Sequence, residues 1–485
     1  MVNSNLLQMI GRLDVAEFRE FGEYVRSPFF NKNESVIKLY DYIKIHYPDF
    51  SEMNFEKKYV YKKIFPKVEY DDAFMRKLMF NMAKLTEDYL AYKKFSEDKF
   101  GYYNYLLPQL DKKGLQKLFY KKLNIMEQEF DKLKIMDSEY YRIRNTIENF
   151  RSYMILKNSS FVITKDKPDS VLNSRAESLI NYFLIKITEE YRFQFNFKKM
   201  VSVDFSSTFY KDIINYLREN ESIHNIPLLS LYYYSLLLIT EKGRSNFDKV
   251  KNLLLNEGES YGYYDKYSSY ALLTNFANDE YHSGKKEYLK ERHELHKLIL
   301  KNNLYSGLGE GEYFNDVLFK IIVTVGLLMK EIEWTEKFTE DYIEKLDPEK
   351  KDNILRFNNA RINFAKGNFE RSLEDLSMIT SVHHFHYKPS IKSLSLMIYI
   401  EKGWIDQAYD AIDTYRHFLT YDKMLPDFQK EKNSNFIKFC KEILKLKSRN
   451  GKEKINDVKF DLMNSENILE KEWLMEKIDE LGKAI

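Results

Sequence analysis

Gly258-Glu259-Ser260-Tyr261-Gly262 has the spacing of a nucleophile elbow, in which a sharp turn presents a serine hydroxyl for attack on an acyl carbon. That chemistry needs a strand running into the turn and a helix leaving it. The residues just before, Phe247 to Leu255, carry helical spacing instead, and no HGGG-type oxyanion loop is visible. The motif reads as a connector between helices. Gly307, Gly309 and Gly311 crowd a second segment, but a dinucleotide fingerprint needs its third glycine three residues after the second, following a strand. Ser283-Gly284-Lys285-Lys286 has the tail of a phosphate loop without its first glycine. Both read as turns. No catalytic residue and no cofactor are assigned, and the chain is expected not to be an enzyme.

Two histidine groups have spacings that suit a metal. His293 and His296 lie three apart on a helical stretch, with His282 and Glu294 near in sequence, and His383, His384 and His386 precede Pro389. A zinc site needs three or four converging ligands with supporting partners. Nothing in the sequence joins the two groups, so they are read as solvated loop and helix-face side chains, and no metal is expected.

Lysine runs offer a different chemistry. Lys57, Lys58, Lys62, Lys63 and Lys67 surround Tyr59, Tyr61 and Phe65, and Lys112, Lys113, Lys117, Lys121 and Lys122 surround Phe119 and Tyr120. Lys113, Lys117 and Lys121 recur every four residues, which on one helix gives a stripe able to neutralise phosphates. Residues 51–134 hold 18 basic and 13 acidic side chains, a local excess of +5. Lysine is also the default solvent-face residue of helices, and arginine, the usual base reader, is scarce here. Nucleic-acid binding is the alternative reading, not the favoured one.

The whole chain sets the frame for these residues. Its 485 residues carry 76 basic and 74 acidic side chains, so no global field draws it to nucleic acid or anionic lipid. The apolar runs 228–239 and 321–329 fall short of the ~20 residues a membrane span needs. The first ten residues lack the pattern of a secretory signal. A single cysteine, Cys440, excludes an internal disulfide and a cysteine-only zinc cage. A cytoplasmic location without membrane contact is expected.

The nine prolines, at 28, 48, 66, 108, 168, 227, 348, 389 and 426, are read as joints between helices, since proline inside a helix costs about 3 kcal/mol. Residues 1–100 are expected to form four helices. The first follows Asp14 with Phe18, Phe21 and Val25 on one stripe; the second is capped by Asn33; the third covers about 54–65; the fourth opens at Asp71-Asp72. Residues 112–157 keep helical spacing throughout, which fits one rod or a hairpin broken at Asp137-Ser138. A loop is expected near 157–170, with Phe161-Val162-Ile163 as a short extended piece, and helices resume at about 171–193 and 206–219.

After Pro227 a pattern repeats. Helices end at Gly243, Gly284, Gly367 and Gly403, and seven residues before each glycine stands Leu236, Ala277, Ala360 or Leu396. Gly367 and Gly403 are 36 residues apart (403 minus 367). After these two glycines come Phe369 with Ser372, and Ile405 with Ala408. The pattern resembles the tetratricopeptide repeat, a helix–turn–helix unit of about 34 residues. It departs from that family at the helix A tyrosine, matched only by Tyr399, and at the tryptophan, where Arg356 and Lys392 stand. A more degenerate unit is expected at 315–346, with Val325 and Trp334 at the small and capping positions. The chain is also similar to a group of uncharacterised bacterial helical-repeat proteins. The shared features are Ser27-Pro28-Phe29-Phe30-Asn31, Phe65-Pro66, Trp334 to Phe338 and Glu472-Trp473-Leu474. That similarity implies no activity.

The expected fold is all-α, a tetratricopeptide-like α-solenoid of helix pairs with an N-terminal helical region. Its divisions are 1–100 (N-terminal helices), 101–225 (long helix or hairpin), 226–450 (repeats) and 451–485 (a C-terminal capping helix). The tetratricopeptide resemblance implies a concave surface lined by Tyr233, Asn278, His282, Phe357, Arg361 and Met397, suited to a peptide or helix ligand. The competing reading packs these side chains against the long N-terminal helices. The function expected is that of a protein–protein interaction scaffold or adaptor with a protein or peptide partner.

Overall fold

The computed structural model describes all residues except 158–167, 202–208, 221–224, 308–312, 381–386, 448–453, 466 and 484–485. Among the described residues there are 23 α-helices and no strand. They fall into two compact units, residues 1–134 with 138–183, and residues 135–137 with 184–485.

In the first unit, α1 (Asn5–Ile10) precedes α2 (Val15–Arg26), whose start is fixed by a capping box. The Glu17 amide donates to Asp14 Oδ1 at 2.8 Å, and the Asp14 amide donates to Glu17 Oε2 at 3.0 Å. Phe18, Phe21 and Val25 are buried, as their stripe predicts. Asn33 caps α3 (Glu34–His46) by accepting from the Ser35 amide at 3.0 Å. α4 (Lys57–Ile64) and the long α5 (Asp72–Glu97) complete a core around Leu39, Tyr40, Met75, Leu78 and Met82. Gly22 lets α2 and α3 meet, because a Cβ there would strike the Tyr40 hydroxyl, which donates to the Phe18 carbonyl at 3.0 Å. The six-residue α1 was not expected from the sequence; it is too short to show a period.

α6 (Lys99–Lys112) contains Pro108, contrary to the expectation that every proline marks a joint. The ring sits on the exposed side of α6, where solvent can satisfy the carbonyl that the missing N–H leaves open. The stretch 112–157 is resolved as two helices, α7 (Gln116–Phe130) and α8 (Ser138–Lys157). A second core joins α6, α7 and α8 through Leu107, Phe119, Met126, Phe130 and Ile147. α9 (Pro168–Val201) runs through the division between the units, and the expected extended piece at 161–163 lies outside the described residues.

In the second unit, after α10 (Phe209–Glu219), helices come in hairpins: α11 (Pro227–Thr240) with α12 (Arg244–Glu257), α13 (Tyr263–His282) with α14 (Glu287–Lys301), and α15 (Asp316–Leu328) with α16 (Ile332–Tyr342). They continue with α17 (Pro348–Ala365) and α18 (Phe369–Ser377), then α19 (Tyr387–Lys402) and α20 (Ile405–Tyr421). Each turn uses left-handed backbone. Gly284, Gly367 and Gly403 have φ of 102°, 78° and 68°, and the amide after each reaches five residues back, as from Asn368 to the Asn363 carbonyl at 2.8 Å. In the first hairpin Lys242 (φ 57°) shares the role with Gly243. In the third, Lys330 (φ 61°) takes it without a glycine, and the Glu331 amide donates to the Gly326 carbonyl at 3.0 Å.

Leu236, Ala277, Val325, Ala360 and Leu396, each on the first helix of its pair, are all fully buried. At one crossing the Ser372 hydroxyl donates to the Ala360 carbonyl at 2.6 Å. The first helices of neighbouring hairpins also touch, α11 with α13, α15 with α17 and α17 with α19.

α21 (Asp427–Lys447), α22 (Ile455–Asn464) and α23 (Lys471–Lys483) close the chain. Their core holds Phe436, Phe439, Ile443, Trp473, Leu474 and Ile478. Cys440 is fully buried there, and burial pushes its thiol pKa up.

Candidate functional site

Lys320 interrupts an apolar run on α15, between Phe319 and Ile322-Val323, all three fully buried. Its stem is carried into the packed layer with them. The ammonium donates to Ser390 Oγ at 2.5 Å and lies 5.6 and 5.3 Å from the ring centroids of Phe357 and Tyr387. Burial, and then the Arg361 guanidinium, push its pKa down to about 8 against the pull of the Glu470 carboxylate. Arg361, from α17, donates to Thr324 Oγ1 and comes 3.9 Å from Glu470 Oε1.

Two more cations reach the same place. Burial lowers the pKa of Lys432 on α21, while the Glu470 and Glu472 carboxylates oppose the fall. Arg292 on α14 is only 8% exposed; burial lowers its pKa, with Tyr281 and Glu472 opposing, and its Nε has no hydrogen-bond partner among the described residues. Burial, and then the Glu472 carboxylate, push the Tyr281 phenol pKa up.

The two carboxylates flank the start of α23, Glu470 in a stapled turn and Glu472 on the helix's first turn. Asn467 and Glu470 both take left-handed backbone, with φ of 52° and 51°. Asn467 Nδ2 donates to the Phe428 carbonyl and to Glu431 Oε2, each at 3.0 Å, and Ile468 is buried. Beyond the turn, Trp473 Nε1 and Lys477 Nζ donate to the two oxygens of Glu401 at 2.6 and 2.8 Å. Four cations, from α14, α15, α17 and α21, thus share the influence of two carboxylates. A buried charge is costly unless paired, so this concentration sets the region apart from ordinary helix packing.

The histidine expectation needs correcting. His293 and His296 are buried, not solvated. His293 Nε2 lies 2.9 Å from Glu331 Oε2, and its ring meets Trp334 edge-on at 4.4 Å. Neither ring nitrogen of His296 has a partner among the described residues; burial, then Arg292 and His293, push its pKa down to about 3. No group of three or more His, Cys, Asp or Glu side chains suited to a metal occurs among the described residues. His383, His384 and His386, like Gly309 and Gly311, lie outside them.

The residues expected to line a groove divide. Arg361 and His282 join the cationic cluster. His282 sits at its rim with its pKa lowered by the surrounding protein and then by the Lys432 ammonium, against Glu472. Phe357 is buried beneath Lys320. Asn278 is half-buried on α13, one turn before His282. Tyr233 is buried, which raises its phenol pKa against the opposing Arg218 guanidinium, and Met397 is buried in the C-terminal core. Lys320, Arg292, Lys432, Glu470 and Glu472 escaped the sequence reading. The available signal was Lys320 itself, a cation inside an apolar helix.

Ser260 occupies a short 3₁₀ turn between α12 and α13, and its hydroxyl donates to the Glu257 carbonyl at 2.7 Å. The Gly284 segment is a hairpin turn. Lys113 caps the end of α6, and Gly114 (φ 71°) separates it from α7, so the three-lysine stripe is a correction: exposed Lys117 and Lys121 share a helix without Lys113. An open cleft of about 430 Å³ lies in the first unit, lined by Phe18, Arg19, Gly22, Arg26, Tyr40 and Lys44 among others. Arg26 is paired with Asp41 and the Tyr40 hydroxyl with Phe18, which leaves fewer unsatisfied groups than the cationic cluster. No helix among the described residues is long and apolar enough to cross a membrane. No protein-family model, curated protein or solved structure matches the chain.

Proposed function

We propose that the chain is a non-enzymatic protein–protein interaction scaffold or adaptor of the cytoplasm, built as a tetratricopeptide-like α-solenoid. The observation that carries the reading is the succession, among the described residues, of five helix hairpins, each turning through left-handed backbone and each with a fully buried residue on its first helix seven residues before the turn glycine or at the matching place. Stacked units of this kind present one helix per pair along a shared face, which suits extended or helical ligands. Arg361 and His282 are the expected contact residues on that face, beside the cations gathered around Glu470.

The test is affinity capture from the native cell with the full chain and with an Arg361→Ala/His282→Ala variant. The adaptor reading expects specific partners of the native chain to be lost from the variant. Identical partner lists would count against it.

A further inference from the structure

We infer that the cationic cluster of Arg292, Lys320, Arg361 and Lys432 is a docking seat for an acidic peptide segment of a partner protein, and that Glu470, in the turn before α23, and Glu472, on the first turn of α23, are its resident intrachain stand-in. The inference rests on the adaptor reading and specifies the partner's chemistry.

Three observations carry it. The first is charge: Arg361 lies 3.9 Å from Glu470, Lys320 and Lys432 also feel Glu470, and Lys432 and Arg292 feel Glu472, so four cations share two carboxylates. The second is satisfaction. Arg292 is more than nine-tenths buried with Nε unpartnered, and the adjacent His296 is fully buried with both ring nitrogens unpartnered. These are buried polar atoms left without a partner beside the resident turn, a state that native packing seldom tolerates.

The third is exchangeability. Arg361 and Glu470 stand 3.9 Å apart, beyond direct hydrogen bonding, and Glu472 is exposed. Glu472 is the second residue of α23, which Trp473, Leu474 and Ile478 fasten in the C-terminal core, so the two carboxylate side chains can swing away from the cations while the helix stays docked. The turn also displays the chemistry the seat accepts: a buried aliphatic, Ile468, followed by carboxylates two residues apart at Glu470 and Glu472. An incoming acidic segment with that pattern would compete with the turn and use the spare cations as well.

The experiment measures fluorescence anisotropy of fluorescein-labelled hexaglutamate with the full chain. A Glu470→Gln/Glu472→Gln variant is expected to bind about tenfold tighter than the native chain, equivalent to ~1.4 kcal/mol. Arg361→Gln/Lys432→Gln is expected to lose binding by a similar factor or more. Equal affinity in all three forms overturns the inference. A second measurement needs no variant protein: an unlabelled peptide of residues 467–475 should displace the probe from the native chain, and the same peptide with Glu470→Gln and Glu472→Gln should not. Equal displacement by both overturns it, as does inorganic phosphate displacing the probe at lower concentration than the acidic peptide. Partner loss in the capture experiment without hexaglutamate binding removes this inference and leaves the adaptor standing; hexaglutamate binding with unchanged partner lists counts against the adaptor and overturns the docking of a partner protein with it.

Discussion

The Arg361 guanidinium on α17 lies 3.9 Å from the Glu470 carboxylate at the start of α23, joining a mid-chain helix to the end of the chain. Both side chains are partly buried, at 14% and 27% exposure, so neither is fully screened by water. Removing Glu470 leaves Lys320 and Lys432 as well as Arg361 short of a counter-charge. Glu470→Gln should therefore destabilise the second unit by roughly 1–3 kcal/mol, and Arg361→Met should restore part of that loss in the double variant. Urea unfolding of the four forms checks this; strictly additive losses would show that the two groups act independently.

Lys320 makes stability depend on alkaline pH. Its folded pKa, about 8, lies below the ordinary value of 10.5, so between these limits the unfolded chain holds a proton that the folded chain has released. Stability should rise as pH increases from about 8 to 10.5, and the cost of the enclosed ammonium is fully present below 8. Lys320→Met should flatten that rise. The readout is the midpoint of urea unfolding between pH 7 and 10, compared for the two chains.

At acid pH the sign comes from His296. Its folded pKa near 3 against an ordinary 6.5 means that the unfolded chain gains a proton the buried imidazole refuses. Stability is then lost progressively as pH falls from 6.5 towards 3. His296→Phe should remove part of this slope in thermal unfolding scans across that range. An unchanged slope would place the acid sensitivity elsewhere.

The hairpin turns allow a paired test. Gly367 sits at φ 78° with open space where a Cβ would go, so Gly367→Ala should cost about 1 kcal/mol through backbone strain alone. Lys330 already bears that strain at φ 61° and is exposed, so Lys330→Gly should stabilise by up to about 1 kcal/mol. Opposite shifts in thermal midpoint are the expected result.

Lys117→Glu/Lys121→Glu should leave retention on heparin unchanged, because the two exposed ammonium groups share α7 without the third that a phosphate-tracking stripe would need. Salt-sensitive retention abolished by the pair would favour the nucleic-acid reading over the adaptor.

Much of the helical order was legible because local chemistry announces it. Asp14 and Asn33 are caps, Pro227 and Pro348 open helices at their first position, and glycines mark four of five hairpin turns. Where a rule rests on one residue type it fails when another does the same work. Lys330 hides the third turn, and Pro108 sits in α6 because its exposed flank tolerates the missing donor. Lys113 has the right interval from Lys117, yet Gly114 breaks the helix between them. The cationic seat was hidden for a different reason: its members come from α13, α14, α15, α17, α21 and the turn before α23, and no local pattern links them. Arg361 and His282 were found through a repeat resemblance, whereas Lys320 carried a signal of its own, a single cation set in an otherwise apolar stretch of sequence.

Cys440 gives this arrangement a clock. Its thiol is the chain's single one, and it is sealed within α21, the helix that also carries Lys432. A thiol-reactive dye can modify it only while α21 parts from its neighbours, so the labelling rate counts those partings. A peptide seated across Lys432 and Arg361 would brace α21 and slow the count, which turns occupancy into a time measured on the unmodified sequence.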